Sequence, residues 1–332
     1  MNETMKDMQG YCLESSQDKR DRTEEIRTML QEKGVCVLGA GVFYVSGIRM
    51  PDHTALMGMG PATRLLLDPA LESGFAVQVG SFCTVKDLFV TGAAESIEHP
   101  DRVGERHGLL FCGTATTKDW HDQPRNSVIE GCHIESFTGG GITCVDTGYY
   151  ICSALTVSNC HILRCGAAIN ISHFSEYHEF TNVLCSESLY GCINNGGNNV
   201  FVNCGFNANV VGFLMDNAKG QSPNNSHGSV VGCTFNHSDD NKGIGIMALG
   251  AQHGYVFSGC QMFYSRIVLE DSCGILFDAM NFSRNMDIAI KGGKLVMLTN
   301  SVFHGAPTFT VSEGACVKVL HCYTREGEEI HI

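Results

Sequence analysis

Residues 200–206, Val-Phe-Val-Asn-Cys-Gly-Phe, decide the fold. The stretch is a short apolar run, a residue that tolerates left-handed backbone, a cysteine, and an aromatic residue two positions later. The phrase recurs as IEGCHI at 129–134, VSNCHI at 157–162, VVGCTF at 230–235 and FSGCQM at 257–262. With weaker copies included, the cysteine slot falls at positions 132, 160, 183, 204, 233, 260, 280, 301 and 322. These intervals of about 20 to 30 residues predict a solenoid of stacked coils.

The residue before the cysteine slot predicts a bend on every coil. Glycine and asparagine enter left-handed backbone at the lowest cost, so this slot is a sharp turn between two short strands. Asparagine side chains on neighbouring coils are then placed to hydrogen-bond along the axis, and alternating apolar positions point inward as ladders of Cys, Ile and Phe about 4.8 Å apart. The slot is occupied by Gly131, Asn159, Asn182, Asn203, Gly232, Gly259, Ala279, Asn300 and His321.

The composition fits a well-buried chain and narrows its partners. Of 332 residues, 43% are hydrophobic and 17% are charged, with a formal net charge of −13. That charge argues against nucleic acid or an anionic membrane as a partner, but it does not prevent binding of a neutral glycan. Residues 1–22 carry no signal peptide, and no apolar run approaches the roughly 20 residues of a membrane span. We therefore expect a cytoplasmic or virion-associated protein.

The 17 cysteines are an odd number, and many fill one repeating slot. Because no export signal is visible, we interpret them as reduced thiols that act as small buried hydrophobic residues. The alternative is disulfide formation, since stacked cysteines on adjacent coils lie close enough to oxidise.

The N-terminal segment predicts a cap for the solenoid. Residues 17–33 have a helical pattern, with Ile26, Met29 and Leu30 on one face and Gly34 as a stop signal. Such a helix would cover the exposed edge of the first coil. We therefore divide the chain into an N-terminal segment with a capping α-helix, residues 1–34, and a parallel β-helix domain, residues 35–332.

Residues 35–67 carry VCVL, a glycine-rich turn, VFYV, IRMP and LMGMG in that order. This order resembles the opening of pectate lyase-like right-handed parallel β-helices, and the later Asn/Gly–Cys phrases resemble their coil repeats, over about residues 15–325. The chain departs from the usual Leu-Pro-x-Gly of the first turn, with Leu-Gly-Ala-Gly at 38–41. The resemblance implies an all-β, single-stranded right-handed parallel β-helix of about ten to twelve coils. It also implies a polysaccharide-active or phage tailspike-like protein and a possible homotrimer.

Several insertions interrupt the repeat. In a solenoid, insertions gather on the elaborated face, which is often the binding face. The insertions are residues 91–126, 146–154, 172–179, 216–228 and 236–242.

Outward positions on the first strand of each coil are expected to stack into a groove beside these loops. Asp216 and Glu270 fall two coils apart, about 10 Å between backbones, and side chains can narrow this toward the ~6.5–9.5 Å of an inverting acid–base pair. We predict both as catalytic, and Asn170, Asn195 and Lys291 as substrate-binding. The alternative is a pair of solvated surface carboxylates. The whole predicted stack is Thr143, Asn170, Asn195, Asp216, Met247, Glu270 and Lys291.

The loop at 172–179, SHFSEYHE, is the densest cluster of functional side chains. His173, Glu176 and His178 can transfer protons near neutral pH, so we predict them as further catalytic residues, and Tyr177 as a ring that stacks on a sugar. A metal on the two histidines is an alternative, but no second motif has ligand spacing.

A second aromatic cluster lies in the largest insertion. Trp120, His121 and Asp122 are predicted to form a sugar-binding lip. The alternative is a loop pinned in place by burial of Trp120.

Several expected signatures do not stand out. We find no polygalacturonase-type motif, no phosphate-cradling glycine loop and no Ser-His-Asp arrangement. We therefore expect no cofactor. The alternative is a divalent cation such as calcium bound by Asp239-Asp240 or Glu270-Asp271, although adjacent acids on turns are usually just solvated.

Three functions fit the sequence. The first is a carbohydrate-active β-helix protein that binds an oligo- or polysaccharide along an outer groove and cleaves it as a glycoside hydrolase or polysaccharide lyase. The second is a phage or prophage tailspike-like protein that recognises a surface glycan without strong catalysis. The third is a structural β-helix whose partner is another protein.

Overall fold

Short apolar runs separated by bends turn the chain back on itself, and each coil stacks on the previous one as a parallel β-helix. The computed structural model describes residues 11–15, 17–93, 101–112, 123–145, 152–218, 220, 226–237, 243–284 and 286–332. Each coil passes through three faces, which we call sheets 1, 2 and 3. This is the fold that the repeat and the resemblance predict.

Sheet 1 holds one strand from each of eleven coils, within the predicted range of ten to twelve. Neighbouring strands pair in parallel, so residues at equivalent positions form columns along the axis. Its strands are Ile48–Arg49, Gly74–Val79, Arg106–Cys112, Gly140–Val145, Ala167–Ile171, Tyr190–Asn194, Val211–Asp216, Gly243–Leu249, Ser265–Glu270, Asp287–Lys291 and Thr308–Val311.

Sheets 2 and 3 form the other two faces and are joined by two long strands, Ala55–Leu67 and Thr84–Thr91, which run through both. The remaining strands of sheet 2 are Cys12–Leu13, Val35–Leu38, Val128–Glu130, Thr156–Ser158, Glu179–Thr181, Asn199–Val202, Gly228–Val231, Tyr255–Ser258, Ile275–Asp278, Val296–Thr299 and Val317–Leu320. Those of sheet 3 are Gly41–Val45, His133–Glu135, His161–Leu163, Leu184–Ser186, Gly205–Asn207, Thr234–Asn236, Gln261–Phe263, Asn281–Ser283, Val302–Phe303 and Tyr323–Thr324. A separate pairing joins Cys152–Ser153 to Ser175–Glu176.

The N-terminal helix covers the first coil, as predicted, but it is shorter than the sequence pattern indicates. It spans Thr23–Lys33 and ends at Gly34, which has left-handed backbone with φ 74°. Ile26 and Leu30 are fully buried against the first strands of sheets 1 and 2. Within the described residues, no helix is long and apolar enough to cross a membrane.

The predicted bend slot has left-handed backbone on every coil where it was assigned. The φ angles at its nine positions lie between 51° and 65°. The asparagine ladder is also confirmed: Asn182 donates from Nδ2 to Oδ1 of Asn159 at 3.3 Å, and Asn203 donates to Asn182 in the same way. The bend therefore separates sheet 2 from sheet 3 at one residue per coil.

The core is built from the predicted ladders. Phe180 stacks on Phe201 at 4.8 Å between ring centroids, and Phe206 stacks on Phe235 at 5.2 Å. All 17 cysteines are free thiols, and those in the repeating slot are buried. The Cys204 thiol lies 3.4 Å from the carbonyl oxygen of Phe180 one coil away. The interpretation of the cysteines as a buried, reduced ladder is therefore confirmed.

Replacing the bend residue tests the role of left-handed backbone. We expect Asn203→Val to lower the free energy of unfolding by about 1–2 kcal/mol, because a β-branched side chain is strained at this φ. Asn203→Gly, which keeps the backbone freedom, is the control and should stay within about 0.5 kcal/mol of wild type. Urea unfolding measures both, and an equal loss in the two variants would contradict the role of the bend.

Thiol titration tests the cysteine ladder. Thirteen of the 17 cysteines are buried, Cys12, Cys112 and Cys273 are half-buried, and Cys316 is exposed. We expect at most four thiols to react quickly with Ellman's reagent in the folded protein, because a buried thiol is inaccessible to the reagent. All 17 should react after denaturation without reductant, and a total lower by two or more would reveal disulfides.

Candidate functional site

Four of the residues predicted for the groove lie in one outward-facing column at the end of sheet 1. The pairing register sets Asp216 opposite Leu249, Leu249 opposite Glu270, and Glu270 opposite Lys291. Asn195 precedes them, since its Oδ1 accepts a hydrogen bond from the Asp216 backbone N–H at 2.9 Å. We call Asn195, Asp216, Leu249, Glu270 and Lys291 row 1.

The other predicted groove residues belong to a neighbouring column. Thr143 pairs with Asn170 and Asn170 with Ile193, and the same column reaches Met247 through Leu214. Asn170 therefore lies on the outer face of sheet 1, as predicted, but two positions away from row 1. The predicted single stack is wrong because residues i and i+2 of a strand both face outward, so alternation fixes the face and leaves the column undetermined.

A second set of polar side chains lies where the chain leaves sheet 1 and enters sheet 2, which we call the 1–2 corner. Glu176, Asn198, His227 and His253 each stand one to three residues before a sheet 2 strand, on four successive coils. Asn198 donates from Nδ2 to Oε2 of Glu176 at 3.2 Å, and the rings of His227 and His253 are 6.1 Å apart. We call these four residues row 2.

Sequence reasoning found Glu176 and missed the rest of row 2. Asn198, His227 and His253 lie outside the recurring Asn/Gly–Cys phrase, and insertions of different length precede them. Aligning the coils on the buried apolar residue of each sheet 2 strand would have placed Asn198 and His227 in one column and Glu176 and His253 in the adjacent one.

The electrostatics of row 2 centre on Glu176 and His227. The Glu176 side chain is almost inaccessible, with 3% of the residue exposed, whereas His227 is half-buried and His253 is exposed. Burial lowers the pKa of His227, the negative charge of Glu176 opposes that shift, and the charge of His253 adds to it. A neutral imidazole thus stands between a buried carboxylate and a second histidine.

His178 is a core residue and is therefore not one of the candidate catalytic residues, contrary to the sequence prediction. Its Nδ1 accepts a hydrogen bond from the Leu155 backbone N–H at 3.1 Å, so the neutral ring carries its proton on Nε2, which lies 2.9 Å from the Ser175 hydroxyl. Burial lowers the pKa of His178 to about 3. A ring that is 1% exposed, with both nitrogens engaged, holds the loop in place and does not reach a ligand.

His178 belongs to a buried polar network beneath the 1–2 corner. Its backbone N–H donates to Asn199 Oδ1 at 2.9 Å, and Asn199 donates to Asn194 at 2.9 Å. Asn194 in turn donates to the Tyr255 hydroxyl at 3.0 Å inside the core. Because each of these buried polar groups is hydrogen-bonded, the network fixes the backbone that carries rows 1 and 2.

The remaining residues of loop 172–179 differ in exposure. Tyr177 is 56% exposed, and its backbone N–H donates to the Gly197 carbonyl at 3.2 Å, so an aromatic ring stands at the 1–2 corner as predicted. His173 is half-buried. Trp120, His121 and Asp122, together with Asp239 and Asp240, lie outside the described residues.

Charged partners and cavities distinguish two places on the surface. Lys291 Nζ lies 3.8 Å from Glu270 Oε2, and both line a shallow depression of about 380 Å³ at the end of sheet 1. A larger cavity of about 810 Å³ lies at the opposite corner, where sheet 3 passes into sheet 1, and is lined in part by Arg102 and Arg106.

We place the candidate site at the 1–2 corner, because that is where carboxylates, imidazoles and an exposed aromatic ring converge. Within the described part of the chain, no group of three or more His, Cys, Asp or Glu residues is arranged to hold a metal ion.

Comparison with solved structures supports the fold. The enzymatically active domain of a tailspike protein from bacteriophage CBA120 superposes with a TM-score of 0.59 at 14% identity, covering 90% of this chain and 45% of that one. A mutant tailspike protein of Escherichia coli bacteriophage HK620, in complex with a hexasaccharide, gives a TM-score of 0.65 at 10% identity, covering 94% of this chain and 64% of that one. The catalytic unit of an α-1,3-glucanase from Streptomyces thermodiastaticus gives 0.55 at 13% identity, covering 90% and 66%.

These likenesses define the class of structure, a parallel β-helix of the kind found in tailspikes and glycan-active enzymes. The chain spans less than two thirds of each of these proteins. The sequence matches no family model, and no curated protein is significantly similar to it.

The burial of His178 predicts how the free energy of unfolding depends on pH. His178 has a folded pKa far below the ordinary value near 6.5, so the unfolded chain binds a proton that the folded chain refuses. Its contribution is fully present above about pH 6.5 and is lost as the pH falls, by about 1.4 kcal/mol per pH unit down to about pH 3. We expect urea unfolding at pH 7.0, 6.0 and 5.0 to show this slope, and His178→Gln to reduce it by about one proton. The exposed His304→Gln is the control, and a slope unchanged in His178→Gln would contradict the assignment.

Proposed function

We propose that the protein binds an oligo- or polysaccharide along the 1–2 corner and cleaves it by hydrolysis. The observation that carries the proposal is the register that puts Asp216 and Glu270 in one outward column, two coils apart. Two strand spacings are about 10 Å. Flexible carboxylate side chains on these backbones can approach the ~6.5–9.5 Å separation that leaves room for a water molecule beside a sugar.

The two carboxylates divide the chemistry as an inverting pair. Glu270, beside the ammonium of Lys291, is the base that takes a proton from water as the water oxygen bonds to the anomeric carbon. Asp216 is the acid that protonates the departing glycosidic oxygen as that bond breaks. The products carry the elements of one water molecule, and no cofactor enters the reaction.

The surroundings of the pair suit a sugar chain. Tyr177 offers an exposed ring for stacking, and Asn195 and Lys291 offer hydrogen bonds along row 1. The acidic surface favours an uncharged glycan. The tailspike solved with a hexasaccharide and the α-1,3-glucanase show that glycan-active proteins use this fold, which supports a saccharide as the ligand here.

A tailspike-like protein that recognises a glycan without strong catalysis is the second candidate. It is favoured by the exposed Glu270–Lys291 pair, whose side chains are 44% and 74% accessible, because such a pair can serve as a hydrogen-bonding platform alone. Virion association and a homotrimer belong to this candidate.

Conservative substitution of the pair separates catalysis from binding. We expect Asp216→Asn and Glu270→Gln each to lower the rate of reducing-end release by at least about 100-fold, since each removes a proton-transfer group. Asp287→Asn, at the start of the strand that ends in Lys291, is the matched control and should retain full activity. Thermal unfolding should be nearly unchanged in all three, because surface substitutions shift stability by about 0.5 kcal/mol or less.

The assay is a polysaccharide panel analysed for new reducing ends and unsaturated products. Full activity in both Asp216→Asn and Glu270→Gln would exclude the pair as the catalytic residues. Glycan binding by wild type without any product would favour the second candidate.

A further inference from the structure

Row 2 stands directly beside row 1 at Asp216. Asp216 stacks on Asn195, whose side chain it contacts through its backbone N–H. His227 stacks on Gly197, where an added Cβ would lie 2.2 Å from the ring atom Cε1. Asn195 and Gly197 are two residues apart, so their Cα atoms are at most about 7 Å apart. Asp216 and His227 therefore lie side by side, because they stack on residues of the preceding coil that are only two positions apart.

The neighbouring residue confirms this stacking. The Ser226 backbone N–H donates to the Gly196 carbonyl at 3.0 Å, and its hydroxyl donates to the Asn194 carbonyl at 3.0 Å. The chain that enters His227 thus lies on residues 194–197 of the coil before it.

The position of the His227 ring costs free energy that core packing does not explain. Its Nδ1 is buried and has no hydrogen-bond partner among the described residues. A buried polar atom without a partner costs about 1–3 kcal/mol. The ring is nevertheless only half-buried as a whole, so it keeps an edge toward solvent. The absence of a side chain at Gly197 provides the space that the ring occupies.

Glu176 belongs to row 2 and lies two coils before His227, with Asn198 on the coil between them. It is held by the amide of Asn198 at 3.2 Å and is itself too buried to reach a ligand. Its negative charge acts on His227 more strongly than does that of any other charged residue.

We propose that His227 is a ligand-binding residue of the Asp216 site, where it hydrogen-bonds a hydroxyl group of a neutral saccharide. The proposal rests on the proposed function, because it names the group that meets the sugar next to Asp216. It gives the sugar chain contacts on both rows of the 1–2 corner.

Binding by matched phenylalanine variants tests the role of His227. His227→Phe keeps a ring against Gly197 and removes both nitrogens, and His304→Phe makes the same change at an exposed histidine outside the 1–2 corner. The probe is the neutral oligosaccharide that gives the strongest wild-type signal on a glycan array, with Kd measured by calorimetry. We expect Kd to rise about tenfold in His227→Phe, as for loss of a hydrogen bond, and to stay within twofold in His304→Phe. His227→Leu, which also removes both nitrogens, should show a loss of similar size, provided that circular dichroism shows a wild-type fold.

The outcomes separate the two proposals. Absence of binding by wild type to every array glycan would contradict the proposed function. Wild-type binding that is unchanged within twofold in His227→Phe would overturn only the role of His227.

Discussion

Left-handed backbone at one residue per coil is the constraint on which the rest of this structure depends. At Asn203 and its eight equivalents the chain must turn sharply from sheet 2 into sheet 3, and only a residue with φ near 50° to 65° makes that turn in one step. Because the bend takes the same number of residues on every coil, the short strands on both sides stay in register. That register aligns the cysteine and phenylalanine ladders, whose burial stabilises the solenoid along its length.

The 1–2 corner is built in the opposite way. Here the length of the connection changes from coil to coil, from Gly250–Gly254 to the long insertion after Asp216, so no single turn repeats. Order comes instead from the buried chain of hydrogen bonds through His178, Asn199 and Asn194 to Tyr255. A polar network inside an apolar core is costly unless every member is paired, and its presence under this corner accounts for how irregular loops hold Glu176, Asp216 and His227 in fixed positions.

The fold was predictable because its signals are local. The bend slot, the cysteine slot and the apolar alternation each lie within seven residues, and the structure confirms all three. The site was predictable only in part. Asp216, Glu270 and Lys291 each end an apolar strand of sheet 1 and so fell into the right column. Asn170 did not fall into that column, because the apolar–polar alternation of a strand does not distinguish two outward positions that are two residues apart. His178 looked reactive in the sequence, but its environment is set by Leu155 and Ser175, whose contacts no local pattern reveals. His227 was missed because an insertion separates it in sequence from Asp216, and because its contact with Gly197 joins two different coils.

The central claim is that a saccharide lies across rows 1 and 2 of the 1–2 corner. A crystal structure of the protein soaked with the oligosaccharide that it binds best tests this most directly. The account predicts sugar density along the corner, with one glycosidic bond between Asp216 and Glu270 and a hydroxyl group within hydrogen-bond distance of His227. Density in the cavity lined by Arg106 at the opposite corner, with both rows unoccupied, would contradict it.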